Sequence, residues 1–479
     1  MFKIQLNELQ KFVKNFFFKI FSSAFNAIIN ILIISHYSQV LSVDGFGKFN
    51  FLLIYTTYFL LLCSLGMDIV AIRSITTDKK SLNEIFGALV PLKILLSLSA
   101  VIIMLSPMIF VPKFNNFGWI LVVFSATILV SPFSAQSVFE ATKRLEFPSI
   151  VTIITQAINY FLALTFVKTS DDLINVGLII LSINAITALL HNLFFLKFYG
   201  KWKAHINTTL WKKFITSGIV VGFIQITIMM IHYFDVFMLE FMKDDIAVGL
   251  YSAAYRAMFM IIQFFAIFFN LMNPILFENY KNSLENYTKY FDAYIKFIIF
   301  SGYGVTVIFI ILAVPFLDIF YNLENYHESI LCFRILMISL FFITINAPLH
   351  SGLLSAHKEK TLLGIIIIQL CANIIGNFIL IPPMGIIGSS IATVLTEIVG
   401  IVFYVYYFRK IYPVKILKHF IIAAITVIPM GIFLHYSSIF YVLRALIGII
   451  IMIFFVLIIR GYTIKEVMNI KRMLFTFER

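Results

Sequence analysis

The chain has 479 residues, of which 61% are hydrophobic and only 12% charged, with a formal net charge of +13. A single globular core cannot bury that share of apolar side chains, so a water-soluble fold is excluded. Many of the apolar runs reach the ~20 residues that a helix needs to cross a bilayer.

Taken in chain order, the first run (about 12–37) is too long for the core of a cleaved signal, and no small-residue cleavage site follows it. We read it as a retained span. Further runs follow near 46–67, 86–110, 118–140, 148–168, 173–197, 214–240, 248–275, 294–320, 329–352, 362–382, 386–408, 418–436 and 442–460. The expectation is an all-α polytopic membrane protein with about 14 transmembrane helices. The widest gaps, near 198–213 and 276–293, are too short for a soluble domain, and no GxxxxGK[ST] loop occurs. Enzymes with a globular catalytic unit and pumps with their own nucleotide domain are therefore excluded. Cys63, Cys332 and Cys371 lie far apart inside apolar runs, with no CxxC or metal-ligand spacing.

Lys and Arg set the orientation. Alternate loops, beginning with the one before the first span, carry 27 of them. The opposite loops carry only Lys48, Lys113, Lys168, Lys243 and Arg444. Both termini are expected in the cytoplasm, and the basic charge reflects topology and anionic lipid rather than nucleic acid.

Two internal echoes share an offset of roughly 200 to 215 residues. VDGFGKF at 43–49 pairs with IAVGLYS at 246–252, and ATKRLEFPSIVTIITQAIN at 141–159 pairs with AHKEKTLLGIIIIQLCAN at 356–373. Six spans fit in that offset, and an even number preserves direction, so the halves read as parallel repeats. We expect a six-helix lobe over 1–200, a cytoplasmic linker over 201–213, a second six-helix lobe over 214–410, and two extra helices with a cytoplasmic tail over 411–479.

Polar residues recur at helical steps inside the spans. Lys19 and Asn26 share a stripe in span one, Arg256 and Gln263 one in span eight, and Gln369, Asn373 and Asn377 one in span eleven. Ser390, Thr393, Glu397 and Gly400 form another in span twelve. Such stripes commonly glue helices together. Ionisable groups in lipid are costly, however, and their presence in both halves points to a hydrated cavity. We take Lys19, Asn26, Lys93, Arg256 and Gln263 as candidate cargo-binding residues. Asp235, which could instead pair with Arg256, and Glu397 are candidate coupling-ion sites. Arg73, after the GMD turn, is a gate or anchor candidate. No catalytic residue, metal site or cofactor is expected, beyond a coupling H+ or Na+.

The segments FGKF, SLGMDIVAIR, FDVFMLEFM with DDIAVGLYSAAYR, and PPMGIIGSSIATVLTE resemble the polysaccharide-biosynthesis branch of the multidrug/oligosaccharidyl-lipid/polysaccharide transporter superfamily. The resemblance runs from about residue 8 to residue 410. It implies two six-helix lobes around a central cavity, with alternating access. It also implies a flippase for a polyprenyl-diphosphate-linked oligosaccharide, such as an O-antigen or capsular repeat unit, in the bacterial cytoplasmic membrane. Glycosyltransferases and a glycan polymerase are the implied neighbours. A cation-coupled multidrug antiporter and a peptidoglycan-precursor lipid flippase are the alternatives. The antiporters place an acid in the first span, where this chain has Lys19 and no acid between Phe12 and Tyr37.

Overall fold

The computed structural model describes residues 2–77, 82–412 and 416–459, with the side chains of the first turns of the first helix also outside the description. The tail expected after the last span, 460–479, falls outside it too. The chain is about 89% helical, with no strand among the described residues. This is the outcome lipid enforces, because a helix satisfies its own backbone N–H and C=O groups where no water can.

Among the described residues, thirteen helical stretches are long and apolar enough to cross a membrane. The longest, Glu359–Phe408, has 50 residues and is folded in two at Gly385 (φ 56°, ψ −130°), a conformation that suits only glycine. Three close approaches establish the hairpin. A Cβ on Gly376 would meet Ala392, one on Gly388 would clash with the Leu380 carbonyl oxygen, and one on Gly400 would meet the Gln369 amide. Residue numbers fall on one arm as they rise on the other, so the arms run antiparallel and supply two passes. The thirteen stretches therefore make fourteen crossings. Lys243 Nζ donates to the Pro382 carbonyl at 2.8 Å, tying off the first arm where the prolines end it. Gly388→Ala should wedge the arms apart. We expect a loss of roughly 1–3 kcal/mol or more, read as a lower melting temperature in detergent.

The chain divides into two compact units, Met1–Tyr233 and Phe234–Arg479. In the first unit, Val43–Ser64 packs on Leu82–Leu105 and on Gly118–Val130, and those two pack on each other. Leu173–Tyr199 covers Gly118–Val130 and Glu146–Phe166, and Phe2–Val40 lies along Glu146–Phe166. In the second unit, Asp245–Asn282 packs on Leu284–Ile311 and on Glu328–Ser355, which also pack on each other. The 359–408 hairpin covers Glu328–Ser355. The pairing among the second, third and fourth crossings thus recurs six crossings later. Ile416–Tyr436 lies on Leu284–Ile311, and Tyr441–Ile458 on Ile416–Tyr436, which makes these two the additions to the repeat.

Backbone chemistry locks several joints. In the first unit Leu65 (φ 42°) and Gly66 (φ 70°) turn the chain between Val43–Ser64 and Met67–Thr77. This turn presses on Gly218 and Gly222 of the Thr208–Met242 helix. A Cβ at either position would stand within 2.8 Å of Leu65 backbone atoms. Small residues four apart let backbones approach this closely in membranes. Pro91 has no N–H, so the Gly87 carbonyl lacks its helical donor. The His205 backbone N–H supplies one at 3.1 Å, and Trp211 Nε1 bonds the next carbonyl, Ala88, at 2.8 Å. In the second unit, Arg334 donates to Ile310 and Arg444 to Leu434, each a carbonyl in the last turn of a helix. Cations belong at such ends, where carbonyls are unpaired and the helix dipole is negative.

Candidate functional site

Each unit carries one concentration of buried polar side chains. In the second unit it is built from the end of Thr208–Met242 and both arms of the 359–408 hairpin. The carboxylate of Asp235 is 1% exposed. Its Oδ2 accepts from Tyr251 Oη at 2.7 Å and from Thr393 Oγ1 at 3.0 Å, and its Oδ1 accepts from Asn377 Nδ2 at 2.7 Å. The alternative pairing of Asp235 with Arg256 is not found. Asp235 is enclosed by hydroxyls and amides instead.

Helical spacing explains why these groups meet. Asn373 and Asn377 are one turn apart on the first arm, and Ser389, Thr393 and Glu397 rise one turn at a time on the second. The hairpin register sets Asn377 level with Thr393 and Asn373 level with Glu397. Glu397, also buried, accepts from Asn346 Nδ2 at 2.7 Å, and the same amide reaches the Glu397 carbonyl. Gly400 leaves room for Asn346 and Gln369 beside it. Thr393, which bonds Asp235, lies one helical turn from Glu397, so one polar seam joins the two coupling-ion candidates. Along it, the amide oxygens of Asn346, Asn373 and Asn377 are buried without a hydrogen-bond donor. Two carboxylates in such a place need a proton or a cation nearby, because uncompensated charge is expensive there. Unfilled oxygens are the ligands a hard cation takes.

The other candidates in this unit lie apart from the seam. Arg256 is half-buried on Asp245–Asn282, and its positive charge acts on the hydroxyl of Tyr321, in the loop before Glu328–Ser355. Gln263, two turns further along the same helix, is exposed.

In the first unit, Lys93 is 7% exposed, and its Nζ bonds both carboxylate oxygens of Asp68 at 2.7 Å. Ser64 Oγ adds a third contact to Asp68. The pair stands in a cavity of about 290 Å³, lined also by Leu60, Cys63, Ser134, Ser137 and Glu140. Sequence alone read Lys93 as a free cation and the GMD segment only as a turn. The missed partner lies 25 residues away on a short helix, Met67–Thr77, that no apolar periodicity announced. Lys19 is exposed on Phe2–Val40. Asn26, half-exposed on that helix, accepts from Asn30 through its backbone and side-chain oxygens. Arg73 is exposed on Met67–Thr77. Among the described residues no group of three or more His, Cys, Asp or Glu side chains is placed to hold a metal.

This multipass helical membrane fold of two units, with buried charges in both, is shared with solved structures. The solved lipid II flippase MurJ in an inward closed conformation superposes with a TM-score of 0.71 at 15% identity, covering 93% of this chain and 99% of that one. An inward-facing multidrug resistance transporter of the MATE family superposes with a TM-score of 0.63 at 13% identity, covering 80% of this chain and 95% of that one. The profile of the polysaccharide biosynthesis protein family matches residues 12–279, more than half of the sequence, and the chain belongs to that family. The capsular polysaccharide biosynthesis protein CapF of Staphylococcus aureus is 22% identical over 409 residues, spanning 84% of this chain and all of the relative.

Proposed function

We propose that the protein is a flippase that moves a polyprenyl-diphosphate-linked oligosaccharide from the cytoplasmic to the outer leaflet of a bacterial cytoplasmic membrane by alternating access. Membership of the polysaccharide biosynthesis family carries this reading, and the fold shared with a solved lipid flippase supports it. The physical problem fits the residues. A diphosphate cannot enter hydrocarbon unaided, but cationic side chains can replace its water with charge-assisted hydrogen bonds. Lys19 and Arg256 take that role, with Asn26 and Gln263 as hydrogen-bonding neighbours. Arg73 anchors the cytoplasmic edge, the side assigned by the excess of Lys and Arg. Lys93, read with the anion-binding group from sequence, has Asp68 as its counter-ion instead. Asp235 and Glu397 carry the coupling proton or sodium ion. Glycosyltransferases on the inside supply the cargo, and a glycan polymerase outside consumes it.

The test is reconstitution into liposomes with fluorescent lipid-linked donors, under imposed sodium, proton and electrical gradients. We expect a capsule-type lipid-linked oligosaccharide to cross faster than in empty vesicles. Transport of lipid II alone would reassign the cargo to a peptidoglycan precursor, and translocation of neither would overturn the flippase reading. Drug efflux by a strain expressing the protein would favour the antiporter.

A further inference from the structure

The cavity of the first unit has a composition that the cargo-binding and coupling roles above do not use. A cavity of about 290 Å³ has room for several water molecules or for one monosaccharide ring. It holds buried Lys93 paired with half-buried Asp68, and Ser137, whose hydroxyl is buried without a partner. Half-buried Ser134 and Glu140 and exposed Gln136 stand at the rim, with Gln136 donating to Glu140 at 2.8 Å. Leu60 and Cys63 give one apolar wall.

Charge decides what this site can hold. Lys93 is neutralised by a carboxylate at 2.7 Å on both oxygens, and Glu140 adds a further negative charge. The lining therefore carries a net charge of about −1 and repels a phosphate. Its remaining chemistry is hydroxyl, amide and carboxylate oxygen, with one ammonium and a small apolar face. Those are the groups that recognise a neutral polyol: they exchange hydrogen bonds with ring hydroxyls while the C–H face of the ring rests on Leu60 and Cys63.

We propose that this cavity is a subsite for one neutral sugar ring of the cargo head group, distinct from the residues that hold its diphosphate. The inference rests on the flippase reading, and deepens it by giving the first unit a means of sensing that the lipid carries a glycan.

The probes are polyprenyl diphosphate bearing one N-acetylglucosamine and the same lipid without sugar. Binding to the purified protein in nanodiscs should favour the sugar-bearing lipid by about tenfold, equivalent to ~1.4 kcal/mol. Ser137→Leu, which fills the floor, should erase that preference and leave affinity for the sugar-free lipid unchanged. Ser131→Leu fills the cavity from another element and serves if Ser137→Leu does not fold. In a Cys332→Ser, Cys371→Ser background, Cys63 is the one remaining thiol. Its modification by methyl methanethiosulfonate should slow at least several-fold with the sugar-bearing lipid and not with the sugar-free one. Equal loss of both affinities, retention of the preference in both filled variants, or absence of sugar-specific protection would overturn the proposal. Failure of the wild type to bind either lipid would instead count against the flippase reading itself.

Discussion

Asp235→Asn should lower gradient-driven translocation in proteoliposomes by about 10- to 100-fold, the loss implied by removing one charged hydrogen-bonding partner at ~1.5–3 kcal/mol. The substitution keeps the volume, removes the charge and turns one acceptor oxygen into an amide donor, so the contacts on that side, to Asn377 or to Tyr251 and Thr393, must reverse. Stability should hold or rise, because a buried ion is replaced by a neutral group of the same shape. The wild type should melt at a higher temperature when the coupling cation is added, and the variant should not. A variant that translocates at the wild-type rate with the same response to the gradients would remove Asp235 from the coupling role.

The second large effect is an asymmetry at Asp68 and Lys93. Breaking a buried ion pair by removing one partner costs about 3–5 kcal/mol, most of it from the charge left behind. Asp68→Asn strands Lys93, whose side chain is 9% exposed, whereas Lys93→Met leaves Asp68, which is 38% exposed and can hydrate. Asp68→Asn should therefore lower the melting temperature markedly more than Lys93→Met. The double variant should recover most of the loss, a coupling that a double-mutant cycle measures directly. Equal, additive losses would show that the two side chains do not act as a pair.

The spans and polar stripes were legible because hydropathy and the 3.6-residue period are local properties of the chain. Gln369, Asn373 and Asn377, and likewise Thr393 and Glu397, announced their shared faces by spacing alone. What spacing does not encode is which face meets which. That Asp235 finds Asn377 and Thr393, 142 and 158 residues on, depends on a hairpin whose apex is a single glycine. Asn346 as the partner of Glu397 was invisible for the same reason: nothing in the spacing of its own helix says which helix it faces. Asp68 was hidden differently. It follows a turn of two left-handed residues, and a short helix beginning there reads as a loop when only long apolar runs are sought. Nothing in the spacing around Pro91 says that the carbonyl it frees is taken by His205, 118 positions from Gly87 in the chain.

That last contact bears on how the protein can be tagged. The basic stretch 200–207 has a loop's composition and invites insertion of a reporter or epitope, yet Lys203 and His205 lie against Gly87 so tightly that not even a methyl group fits between them. The segment behaves as a rivet rather than a spacer. A fusion placed there would pull out a backbone bond that the proline leaves with no substitute, so reporters belong elsewhere in the chain.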